Sequence, residues 1–187
     1  MKLLNSLIIL PLASMLALSC TRNHNQNNNN GLPPATQTGA GVIACLLNGK
    51  PWTIHFYSTD ANSFFGSFGG DTLKIGGSPA PVYTPYNSIQ TISIGVWSGI
   101  KQGQVYNLAD STRSYCKYIT DSVCDNAAGG SGGYGNLYSA YAVSGSIYIS
   151  KLDTVAQIAS GLFSCTFLMQ GCDSTRVTDG RFDIHYY

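Results

Sequence analysis

The chain contains no Glu among its 187 residues, and all nine of its acids are Asp. Charged side chains make up only 10% of the residues, with ten Lys and Arg against those nine Asp. A near-neutral chain without basic clusters excludes nucleic acid as a partner and anionic lipid as a directly contacted surface, since both need grouped Lys and Arg. The missing Glu removes one of the good helix formers, and no stretch carries a helical stripe. No pair of cysteines has C-x2-C spacing, and the three histidines, His24, His55 and His185, are scattered. A metal site is therefore not expected, nor is any cofactor. No apolar run reaches the roughly 20 residues that a membrane-spanning helix needs.

One short segment, at the N-terminal end, comes closest to that length and composition. Lys2 precedes an apolar stretch from Leu7 to Leu18, broken only by Pro11 and Ser14 and followed by Ser19-Cys20. About a dozen apolar residues behind a cation form a secretory signal in outline. Residues 1–19 are expected to be removed. Leu16-Ala17-Leu18-Ser19-Cys20 resembles the lipobox of bacterial lipoproteins, which implies that Cys20 is acylated and becomes the mature N-terminus. Residues 20–41 follow with six Asn and then Gly, Pro and Thr, too polar to offset the entropy of ordering, and are expected to be a flexible tether. The resulting localisation is the cell envelope, with the outer membrane as the expected membrane and a lipid anchor as the contact.

From residue 42 the abundant features are Ser, Thr, Gly, Ile, Val and Tyr, a strand-forming composition. Apolar residues recur with a period of two: Trp52, Ile54 and Phe56; Ile92, Ile94 and Val96; Val143, Gly145, Ile147 and Ile149; Phe163, Cys165, Phe167 and Met169; Phe182, Ile184 and Tyr186. One apolar and one polar face per strand suits an antiparallel sheet. The fold class expected for 42–187 is all-β, a single domain built as a sandwich or a curled, barrel-like sheet. Asn48-Gly49 is a type I′ hairpin signal that sets Leu47 opposite Lys50, Cys45 opposite Trp52 and Ile43 opposite Ile54. Pro51 then marks an edge strand. Asp179-Gly180 is a second turn signal.

Two stretches resemble a family of putative Bacteroidetes lipoproteins of unknown function. One is Pro34-Ala35-Thr36-Gln37-Thr38-Gly39 with Cys45-Leu46-Leu47-Asn48-Gly49-Lys50-Pro51-Trp52. The other is Ile158-Ala159-Ser160-Gly161-Leu162-Phe163 with Val177-Thr178-Asp179-Gly180-Arg181-Phe182-Asp183-Ile184. The resemblance implies an envelope location and a β-rich fold, and carries over no catalytic residue.

Apart from Cys20, five cysteines remain in a domain expected to be exported, where oxidised pairs form. Cys116 with Cys124 closes a short loop, and Cys45 with either Cys165 or Cys172 is the expected second bond. The run Gly129-Gly130-Ser131-Gly132-Gly133-Tyr134-Gly135 satisfies nucleophile-elbow and dinucleotide patterns formally. Both require a strand entering a helix, and no helix follows. With no catalytic constellation, the expected function is a non-catalytic binding or scaffolding module for a protein or glycan partner. The alternative is an envelope glycan hydrolase with two Asp converging from distant loops.

The expected binding patch joins Trp97 and Tyr57, which fall on outward faces, with Tyr138, Tyr141 and Tyr148 adding aromatic surface. Five Asp residues begin triplets resembling the Bacteroidetes O-glycosylation pattern, which would modify Thr72, Ser111, Ser122, Thr154 and Ser174. Turn formation explains the same Asp residues.

Overall fold

A computed structural model describes residues 30–55, 64–78, 90–97, 99–121, 138–169 and 172–187. Cys20, Phe56, Tyr57, Ser122, Cys124 and the glycine run 129–135 lie outside these residues. Among the described residues there is no helix. Ten strands follow in chain order: β1 Val42–Leu47, β2 Lys50–His55, β3 Phe64–Gly69, β4 Thr72–Gly77, β5 Gln90–Trp97, β6 Val105–Asn107, β7 Ser114–Thr120, β8 Tyr138–Asp153, β9 Ile158–Phe167 and β10 Thr175–His185. They form one antiparallel sheet in the order β2-β1-β10-β9-β8-β7-β5-β4-β3, with β6 paired to β8. The sheet curls into a half-barrel, the second of the two architectures expected.

Period-two patterning dictates which side chains fill the concave face. Trp52, Ile54, Ile92, Ile94, Val96, Phe163, Phe167, Phe182 and Ile184 are all buried there. The first hairpin has the expected register, Leu47↔Lys50, Cys45↔Trp52 and Ile43↔Ile54. Asn48 and Gly49 take φ of 50° and 78°, as a type I′ turn requires. β2, which carries Pro51, is an edge strand. The indole N–H of Trp52 reaches the carbonyl of Gln90 on β5 at 3.2 Å, drawing that edge across the open side of the barrel.

Two expectations along β8 and β10 are corrected. On β8 the inward set begins as Ala140 and Ala142 and continues as Ile147 and Ile149, while Val143 is 52% exposed. An even set becomes an odd one because the ladder to β9 shifts between Ala142 and Ser144, and a single extra residue flips the side chains that follow, up to a second shift between Ile149 and Lys151. Asp179-Gly180 is no turn either. Asp179 has φ of 52°, yet β10 runs unbroken through it, and the register to β9 shifts between Val177 and Gly180. The pair is a bulge within a strand.

The segment before β1 is also bound to the sheet rather than free. Leu32 is buried with Ala44 and Leu46 in a small cluster on the convex side of β1. Covering that side explains why all six residues of β1 are buried and why it reads as one apolar run. Arg181 donates to the carbonyl of Pro33 at 3.0 Å, and Lys151 to that of Gln37 at 3.1 Å. At the centre lies Asp183, on the convex side of β10 beneath this strap. Its Oδ1 accepts from Gly39 N at 2.8 Å and Ser160 Oγ at 2.7 Å; its Oδ2 accepts from Thr36 Oγ1 at 2.6 Å, Thr38 N at 2.9 Å, Thr38 Oγ1 at 3.2 Å and Ala40 N at 3.2 Å. Burial alone would raise this carboxyl, but the Thr36 and Ser160 hydroxyls and the Thr38 and Gly39 amides outweigh it and hold the pKa at about 2. Gly39, at φ of 76°, lies so close to the His185 ring that an added Cβ would stand 2.5 Å from it.

Candidate functional site: an aromatic row on the convex face

On β5 the outward residues include Ser93, Gly95 and Trp97; on β7, Tyr115 and Lys117; on β8, Tyr141 and, within the bulge, Val143. Gly95 pairs with Tyr115, and Lys117 with Tyr141. With no side chain at Gly95, the Tyr115 ring lies over the backbone, where an added Cβ would be 2.3 Å from it. The ring centroid of Trp97 is then 5.8 Å from that of Tyr115, and Tyr115 is 6.1 Å from Tyr141. Lys117 places its ammonium 5.5 Å from the Tyr141 centroid, within cation–π range.

The row borders a depression of about 270 Å³ lined by Trp97, Leu108, Ser111, Ser114, Tyr115 and Tyr141. The Trp97 indole N–H donates to the Thr112 carbonyl at 2.7 Å, which fixes the ring against the loop before β7. Asp110 shapes that loop by accepting from Thr112 N and Thr112 Oγ1 at 3.1 and 2.6 Å, and these bonds, the hydroxyl's first, hold its carboxyl below the usual range. Ser114 Oγ donates to the Asn107 carbonyl and closes the other end. Burial, followed by the neighbouring Tyr141 and Cys116, raises the Tyr115 phenol, which stays protonated and able to donate.

Of the expected patch, Trp97 is partly exposed on the convex face and Tyr141, 61% exposed, joins it; Tyr57 lies outside the described residues. Tyr148 belongs elsewhere. It forms a cross-strand row with Val105, Leu162 and Arg181 beside a second depression of about 300 Å³. There Arg181, in one wall of that hollow, is committed to the carbonyls of Asp179 and Pro33. Tyr115 was not legible as a site residue. Its only signal is an outward aromatic on a strand facing an outward glycine on the next.

The disulfide expectations are corrected. Cys45, Cys116 and Cys165 are free thiols buried in the concave core, and no bond joins two described cysteines. Cys116 points inward from β7 as a free thiol, and Cys124 lies outside the described residues. Cys172, near the start of β10, is not among the free thiols. Of the five hydroxyls in Asp-Ser/Thr triplets, Ser111 and Thr154 are exposed in turns, Thr72 and Ser174 are partly covered, and Ser122 lies outside the described residues. The preceding Asp71 has φ of 60°, and Asp153 accepts from Val155 N and Ala156 N, so both shape their turns.

No group of three or more His, Cys, Asp or Glu side chains among the described residues could hold a metal ion. Comparison with protein-family models, curated proteins and solved structures finds no match.

Proposed function

We propose that this chain is a lipid-anchored protein of the cell envelope whose β domain is a non-catalytic glycan-binding module, with Trp97, Tyr115 and Tyr141 as its recognition surface. The observation that carries the reading is the aromatic row itself. Three rings at successive spacings of 5.8 and 6.1 Å lie on an outward face, beside a shallow hollow edged by Ser111 and Ser114, with Lys117 over the outermost ring. Aromatic faces stack on the C–H faces of sugars, while the phenol hydroxyls and that of Ser111 meet their polar rims. The carboxylates of Asp110, Asp153 and Asp183 are each engaged in holding local structure, which favours binding over hydrolysis. The signal-like N-terminus and the likeness to Bacteroidetes lipoproteins support the location.

Binding of the purified domain to an array of bacterial envelope saccharides tests this reading. Tyr141→Ala should weaken binding at least tenfold, about 1.4 kcal/mol, because one exposed stacking ring is lost. Its thermal midpoint should stay near that of the wild type, since the ring is solvent-facing. Absence of any saccharide bound by the wild type, or equal affinity in the variant, would remove the proposal. The anchor has its own test. Cys20→Ala should shift the protein from the membrane pellet to the soluble fraction, and continued pelleting would show that Cys20 carries no lipid.

A further inference from the structure

We propose that Cys116 and Cys165 are a disulfide site that staples β7 to β9 across the concave face. The two sulfurs are 3.1 Å apart, and both side chains are buried. A disulfide needs about 2.05 Å, so closure requires a movement of roughly 1 Å.

The contact is unusual because β8 lies between the two strands. Strands two places apart in a flat sheet are about 9.6 Å apart, beyond the roughly 7 Å between Cα atoms that a disulfide spans. Curling shortens the path. β8 changes register between Ala142 and Ser144, immediately before Gly145, which pairs with Cys165. An added Cβ at Gly145 would lie 2.7 Å from that of Cys165, so the absence of a side chain is what lets β9 fold inward here. Sequence spacing gives no hint of this pairing, since the two cysteines are 49 residues apart.

Cys45 faces the same core from β1, but the close sulfur contact is between Cys116 and Cys165. Bond formation is a thiol–disulfide exchange with a disulfide oxidant. One cysteine thiolate attacks the oxidant and releases its first half as a thiol. The second thiolate then attacks the mixed disulfide, forms the Cys116–Cys165 bond and releases the other half. The pair loses two electrons and two protons, and the oxidant gains them as two thiols. Burial raises the thiols of Cys116 and Cys45 above their usual range, which keeps them protonated and slow to exchange once the barrel is folded. The bond is therefore made while the chain folds and is protected afterwards.

The test is to refold the reduced full-length protein in a glutathione redox buffer, quench in acid, alkylate under denaturing conditions and map the linked peptides by mass spectrometry. The Cys116–Cys165 peptide should exceed either pairing that involves Cys45 several-fold, with Cys45 recovered as the alkylated thiol. Cys45→Ser should leave that cross-link in place. Recovery of Cys116 and Cys165 as alkylated thiols would overturn the proposal. So would comparable amounts of the three pairings, because proximity would then have selected nothing.

Discussion

Asp183→Asn is expected to lower the thermal midpoint by roughly 10 °C. All six contacts of the carboxylate come from donors, two on one oxygen and four on the other. An amide fits the space but turns one oxygen into a donor aimed at other donors. Whichever way it is seated, at least one backbone N–H loses its acceptor. Buried donors stranded in this way cost about 1–3 kcal/mol each, and bonds to a charged acceptor are the stronger kind. A total of about 3 kcal/mol converts to the stated shift at roughly 2–4 °C per kcal/mol for a chain of this size. The pH dependence checks the cause. The folded carboxyl titrates at about 2, against an ordinary value of 3.8. Its contribution is thus fully present above about pH 3.8 and lost as pH falls toward 2. The midpoint difference between wild type and variant should be constant near neutrality and narrow on acidification. A gap that persists at pH 2 would mean that the charge is not its source. The variant should also become open to proteolysis between residues 32 and 41.

Gly161→Ala is expected to have a comparable effect through packing alone. The added Cβ would stand 2.1 Å from the Tyr148 carbonyl oxygen and 2.6 Å from the Phe182 ring. Gly161 lies in the middle of β9, paired with Ile149 on β8 and Phe182 on β10. A central strand held by ladders on both sides cannot move away without breaking one of them. Overpacking of this kind costs about 3 kcal/mol, again roughly 10 °C. Adding Phe182→Leu relieves the ring but not the carbonyl, so the double variant should recover little. Wild-type stability in Gly161→Ala would show that β8 and β9 have room the structure does not give them.

The sequence made local, two-strand features legible, and the structure turned on features of longer range. Asn48-Gly49 fixed a register because a I′ turn needs positive φ at both positions, and Pro51 marked an edge because it has no N–H to donate. The rows through Ile92 and Phe163 were readable because each strand keeps one phase. β8 does not, and nothing in Val143-Ser144-Gly145 distinguishes a bulge from continued alternation. Asp179-Gly180 misled for the reverse reason: the backbone conformation that makes a turn also makes a bulge when partners lie on both sides. The strap was hidden by composition. Thr36, Thr38 and Gly39 are ordinary linker residues until an acid on a distant strand gives their donors a common acceptor. The aromatic row was half visible, since Trp97 could be placed outward but its neighbours depend on strand order. The thiol pair was invisible, because curvature and not pairing brings β7 to β9.

The strap has a mechanical consequence. Tension applied to the chain ahead of residue 30 enters the domain along residues 32–40, and β1 begins only at Val42. Before any load reaches β1, one strand from the open edge of the sheet, it must shear the cluster at Asp183 on β10, which is flanked by β1 and β9. Five hydrogen bonds from the strap to one carboxylate, loaded together, fail together instead of unzipping one at a time. The domain is thereby coupled to whatever lies upstream as by a cleat, with β1 kept slack.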